Sequence, residues 1–131
     1  MIRIFLCCLV LTACDGSRTS APVITQVTWS HAAPPADDWS ELAKIQVRSE
    51  RSETVASVWG TTYIYQDLNR AKGWLQREND SYVLCFYAPE DKYGPGDAIP
   101  SVAWPTHFSY RIQGLPRQTR LEFREKCAPR A

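Results

Sequence analysis

The segment WLQRENDSYVLCFY, residues 74–87, decides the fold class. Two runs rich in aromatic and aliphatic residues, Trp74–Arg77 and Tyr82–Tyr87, flank Glu78-Asn79-Asp80-Ser81. Asn, Asp and Ser favour turns because their short side chains bond nearby backbone and tolerate left-handed conformations. The pattern therefore predicts a β-hairpin. Working outward, Val23–Ser30 alternates, with Val23, Thr25, Val27 and Trp29 on one face. Ala43–Ser49 sets Ile45 and Val47 against Lys44, Gln46 and Arg48, again the two-residue period of a strand. Val55–Tyr65 is rich in β-branched and aromatic residues, and Gly60 within it predicts a bulge or bend. Thr106–Ile112 and Thr119–Glu125 complete the set, with Leu121 and Phe123 opposed to Arg120, Glu122 and Arg124. Two short helical pieces are expected. Asp38 and Glu41 form a capping-box pattern leading into Leu42 and Ala43. Asp67–Lys72 has an acidic start, a basic end and Gly73 at the stop position. About seven strands at this spacing give a mainly β chain, a small β-sandwich or half-open barrel with one or two short helical turns.

Length and charge narrow the functional classes. A chain of 131 residues has room for one core. Fifteen Lys and Arg against 14 Asp and Glu leave a net charge of +1, which argues against a general nucleic-acid binder. Nine Pro and five Trp disfavour a helical bundle.

The amino terminus carries the most specific signal. Met1-Ile2-Arg3 is a short basic start, and Ile4–Leu11 (IFLCCLVL) is an unbroken apolar run too short to span a bilayer. Leu11-Thr12-Ala13-Cys14 resembles the lipobox of bacterial lipoproteins: an aliphatic residue, two small ones, then Cys. The resemblance covers residues 1–14. It implies cleavage between Ala13 and Cys14, a diacylglyceryl group on the Cys14 thiol, and usually a further acyl chain on the new amino terminus. Two or three chains give stable attachment to a bilayer, since each buried methylene contributes about 0.8 kcal/mol. Asp15 is similar to the signal that retains such proteins in the inner membrane of enteric bacteria, which would place the domain facing the periplasm. Residues 1–13 are then the signal peptide, 14–22 a flexible tether, and 23–131 a single β-rich domain. The same resemblance disposes of three cysteines. Cys7 and Cys8 leave with the signal and Cys14 is lipidated, so Cys85 and Cys127 remain as one possible pair. Either they form a disulfide, joining an interior strand to the carboxyl-terminal one, or they are two buried thiols.

No motif for metal-dependent or nucleophilic hydrolysis, nucleotide binding or thiol redox chemistry is present. His31 and His107 sit beside loop-forming residues with no acid or nucleophile at a diagnostic spacing. The most unusual segment is Pro89–Pro105 (PEDKYGPGDAIPSVAWP), long and without periodicity, as functional loops often are. Tyr93 and Trp104 on stiff backbone are candidate anchors for a protein partner, with Asp91 and Asp97 adding charge. Trp104 has a second reading, inside the core. Glu90, Asp91 and Asp97 match no calcium loop, and no cofactor is expected. Glu78, Asp80, Glu90, Asp91 and Asp97 make one stretch acidic, and Arg111–Arg130 is basic; pairing of the two as a solvated surface is expected. At least three of the five tryptophans are expected in the core.

The whole reads as a lipid-anchored, periplasm-facing module that binds and does not catalyse. It is similar in type to the immunity lipoproteins and periplasmic inhibitors of bacteria, with an accessory subunit of an envelope assembly or secretion complex as the alternative. An enzyme would instead require a concave pocket around a histidine with an acid nearby.

Overall fold

The structure, a computed structural model, describes residues 20–35, 44–90, 93–98 and 102–129. The expected helical piece at 38–43 lies outside the described residues, as do Ala13, Cys14, Asp15, Trp39 and Asp91. The chain is mainly β. Its strands are β1 (Val23–His31), β2 (Gln46–Glu50), β3 (Glu53–Tyr63), β4 (Lys72–Glu78), β5 (Ser81–Tyr87), β6 (Ala103–Gln113) and β7 (Arg120–Arg124). One sheet runs β1-β6-β3-β2 and is antiparallel throughout. The other runs β4-β5-β7, with β5 and β7 parallel. The two sheets pack face to face as a sandwich, without closing into a barrel. Among the described residues no helix is long and apolar enough to cross a membrane.

The core lies where the inward faces of both sheets meet. Ala56 and Val58 of β3, Phe108, Tyr110 and Ile112 of β6, and Leu84 and Phe86 of β5 form one buried cluster. Phe108 stands at its centre, edge-on to Phe86 at 4.7 Å and tilted against Phe123 at 5.0 Å. Tyr110 crosses between the sheets, its hydroxyl donating to the Cys85 carbonyl at 2.9 Å. The buried phenol thus keeps a hydrogen bond in the dry interior.

The hairpin forms as the sequence predicts, with a tighter turn. Glu78 pairs with Ser81, so Asn79 and Asp80 alone make the reversal. Asn79 takes φ 51°, a left-handed conformation its short side chain tolerates. Cys85 and Cys127 are bonded, with Cα atoms 5.5 Å apart across a sequence separation of 42. The acidic and basic stretches do meet: Arg124 grips Glu78 at 2.8 and 3.1 Å, and Lys126 lies 3.8 Å from Glu90.

Three expectations need correction. In β1 the register shifts between Ile24 and Gln26, so Ile24, Val27 and Trp29 pack on the core while Val23 is 58% exposed. The extra residue of a bulge reverses which side chains face inward. Gly60 marks no bulge, since β3 pairs with β6 without a break from Glu53 to Tyr63. A Cβ there would lie 2.7 Å from Glu125 Oε1 and 2.8 Å from the Phe123 ring. Gly73 stops no helix; it lies in β4, where a Cβ would come within 2.6 Å of Val27 Cγ1. Of the piece expected at Asp67–Lys72, Leu68–Arg70 makes a helical turn, capped by Asp67, whose Oδ1 accepts from the Asn69 N–H at 3.0 Å. Of the described tryptophans, Trp29 packs on the main core and Trp74 on the disulfide. Trp59 lies on the far face of its sheet against His107, and Trp104 is 44% exposed.

The close approach at Gly60 also ties the sheets. Glu125, just beyond β7, accepts the Thr61 backbone N–H at 2.9 Å. Burial raises the Glu125 carboxyl above the ordinary glutamate value, against the smaller opposing pulls of that hydrogen bond and of Lys126. The folded state therefore holds this proton more tightly than the unfolded chain, and this group's contribution to stability declines as pH rises through the interval above the ordinary value. Glu125→Gln keeps an acceptor oxygen and removes the charge. It should leave stability at neutral pH equal to or above that of the parent, and flatten this decline. Urea unfolding of both proteins between pH 4 and 8, read as their difference, checks the sign; a variant that loses stability most at neutral pH would contradict it.

Candidate functional site

Three strand ends converge at one end of the sandwich. His31 closes β1 opposite Thr106, Tyr63 closes β3 opposite Ala103, and the Ile64 N–H continues the ladder to the Val102 carbonyl at 3.1 Å. Beyond β3 the chain folds back. The Gln66 N–H donates to the Tyr63 carbonyl at 2.9 Å, and the buried Gln66 side chain accepts from the Tyr63 N–H at 2.8 Å. The Asp67 N–H then donates to the Pro89 carbonyl at 2.8 Å, holding the turn against the segment after β5. A cleft of about 660 Å³ results. His31, Trp104 and Tyr63 supply its rings, Gln66, Asp67 and Asn69 its polar groups, and Ile64 and Leu68 its aliphatic surface.

Two fully buried hydroxyls lie behind it. Thr62 and Thr106 are 2.8 Å apart on β3 and β6, Thr106 also lies 3.1 Å from the Trp104 carbonyl, and Thr62 is 3.4 Å from His31 Nε2. A hydroxyl has one proton to give. With Thr106 donating to the carbonyl, Thr62 must donate to Thr106 and is left to accept from His31 Nε2–H. This assigns the proton to Nε2, and His31 Nδ1 has no partner among the described residues. The imidazole lies nearly parallel to Trp104, with centroids 5.7 Å apart and planes at 17°.

The predicted contact residues separate. Trp104 and Pro105 belong to β6, which begins earlier than the alternation indicated. Pro105 is accommodated at the end of the β1–β6 ladder, where the Ala32 N–H still donates to the Pro105 carbonyl at 3.1 Å and the missing N–H forfeits only the return bond. Tyr93 is half-buried at the foot of an exposed turn, residues 94–98. Asp97 braces this turn: its carboxylate accepts the Gly94 N–H at 2.7 Å, and its own N–H donates to the Gly94 carbonyl at 3.1 Å. Asp91 lies outside the described residues.

The second histidine is not on a loop. His107 sits within β6, 4.4 Å from the Trp59 ring. Burial, and then the charge of Arg48, lower its readiness to take a proton. Among the described residues no three His, Cys, Asp or Glu side chains converge as metal ligands would. The sequence missed Tyr63, Gln66, Asp67 and Asn69 as cleft residues. Asp67 is legible only as the acidic start of a short helical piece, and nothing local says that its turn lies beside the ends of β1 and β6. No family model matches the chain, and comparisons with curated proteins and with solved structures find no similar protein.

Proposed function

We propose that this chain is a lipid-anchored binding module facing the periplasm, of the inhibitor or immunity type, held to the bilayer through acylated Cys14. The observation that carries the reading is the braced turn at 94–98. It is exposed, carries Tyr93 at its foot, and spends the Asp97 carboxylate on its own backbone. A turn fixed in advance loses less entropy on binding than a floppy one. Tyr93 supplies a ring whose hydroxyl can keep a hydrogen bond as its face is covered. The cleft does bring His31 and Asp67 into one lining, as an enzyme would require, but Asp67 Oδ1 caps its own turn and no hydrogen bond joins the two side chains among the described residues, so the reading rests on binding.

The test uses the full chain in its own membranes. Cys14→Ser should abolish processing and move the protein out of the detergent phase. Tyr93→Ala together with Asp91→Lys should abolish capture of a protein partner from solubilised membranes while Tm moves little. Capture that survives both changes removes the turn as the contact.

A further inference from the structure

We infer that the cleft at the end of the sandwich is a saccharide-binding site, in which the Trp104 indole is the stacking platform and Asp67, Asn69 and Gln66 supply hydrogen bonds to ring hydroxyls. The ligand class is a short neutral oligosaccharide of hexopyranose units. The inference is independent of the turn contact proposed above.

The platform is the first support. The Trp104 indole is 44% exposed and lines the cleft. Trp104 is not a loose surface ring. His31 backs one face at 17°, His31 is held through Nε2 by Thr62, and Thr62 is held by Thr106. Two hydroxyls are thus buried at a place where valines of similar size would pack without needing partners. Their arrangement fixes His31, and His31 fixes the indole. The indole and the imidazole stacked on it both line the cleft. An aromatic surface held in one orientation suits the flat C–H face of a pyranose, which buries apolar area there with little loss of side-chain freedom.

The polar lining is the second support. Sugar hydroxyls both give and accept protons, and they are best met by planar groups that can do two things at once. Asp67 uses Oδ1 on its own turn and Gln66 uses Oε1 on the Tyr63 N–H. Asp67 Oδ2, Gln66 Nε2 and the Asn69 amide carry no hydrogen bond within the described residues. Acceptors and donors therefore stand together around the indole. Charge argues against other planar ligands. Among the described residues no Lys or Arg lines the cleft, so a nucleotide's phosphates would find no cation there. A single carboxylate among several donors is also a poor cage for a basic side chain. The volume of about 660 Å³ falls within the range of sites that enclose small molecules.

The experiment titrates the full-length protein in detergent with chitotetraose, cellotetraose and maltotetraose, following tryptophan fluorescence and heat, with sedimentation on purified insoluble wall glycan alongside. We expect saturable binding of at least one tetrasaccharide, weakened about tenfold or more by Trp104→Ala and several-fold by Asp67→Asn or Asn69→Ala. Trp104→Phe should restore part of the loss. Trp104 is exposed, so Tm should change little, and the near-ultraviolet circular dichroism of the other aromatics should be kept. Binding of chitotetraose and wall glycan together would identify the wall as the source, and binding of soluble glycans alone would identify a free oligosaccharide. Failure to bind any of the three tetrasaccharides overturns the inference, as does binding that Trp104→Ala leaves unchanged. Loss of protein capture in Trp104→Ala with no saccharide bound assigns the cleft to a protein partner instead.

Discussion

Replacing Cys85 with Ala should lower the free energy of unfolding by about 2–5 kcal/mol, as loss of a native disulfide does in small domains. The reason lies in where the bond is placed. Cys85 is the fully buried residue near the end of the central strand of its sheet, and Cys127 follows the short edge strand β7. That edge strand has five residues and a single hydrogen-bonded neighbour. Between the two cysteines the chain leaves for the other sheet as β6 and returns, so the bond closes a loop across a sequence separation of 42. Without it, the return of β7 depends on the β5–β7 ladder and on a few apolar contacts. Trp74, packed against the cluster of Val83, Cys85 and Cys127, would lose part of its support. Cys127→Ala should match Cys85→Ala, and the double variant should be no worse than either, because all three remove one bond. A thermal melt should shift by roughly ten degrees or more. Two free thiols titrated in the oxidised native protein would overturn the prediction.

Phe108→Ala should be at least as damaging, about 3–5 kcal/mol. Phe108 is fully buried, and its ring meets aromatic partners on both β5 and β7, Phe86 and Phe123. Its removal leaves a hollow between the sheets that neighbouring strands cannot fill, because each is fixed by its ladder. Phe108→Leu should cost much less, since most of the volume is kept. Denaturant curves for the two variants should differ in midpoint and share one slope. A parent-like midpoint for Phe108→Ala would mean that the sheets are not packed on this ring.

The sequence and the fold agree most closely where structure is local. The 74–87 hairpin, the β-branched and aromatic richness of β3, the alternation of β7 and the acidic start at Asp67 each depend on a few adjacent residues, and each leads to the element expected. Disagreement begins where a distant partner decides the outcome. The bulge in β1 is invisible in VITQVTWS, because which of Val23 and Ile24 turns inward is decided by pairing with β6. Gly60 and Gly73 look like breaks in a pattern until the side chains that cross them, Glu125 and Val27, are known. Trp104 was ambiguous because Pro105 beside it looks like loop; only the end of β1 explains how a proline fits there. The cleft is the extreme case. Its residues come from the ends of β1, β3 and β6 and from one turn, and no spacing along the chain links them.

The strand order has a consequence for the sequence of events in folding. A chain made from its amino terminus completes β1 first, yet β1 has only one hydrogen-bonded neighbour, β6, whose far end is Gln113 paired with Val23. The second sheet is delayed as well, because the β4–β5 hairpin waits for β7, the last strand of all. Between the completion of β5 at Tyr87 and that of β6 at Gln113 the emerging polypeptide therefore holds two hairpins, β2–β3 and β4–β5, and an orphan first strand with an open edge. Non-local pairings of this kind slow folding to the millisecond-to-second range and leave edges that can pair wrongly. The arrival of β6 resolves this, since it supplies the neighbour for β1 and for β3 at once. Chains truncated before Ala103 should therefore gain little protection from proteolysis, and those that extend through Arg124 should gain it abruptly.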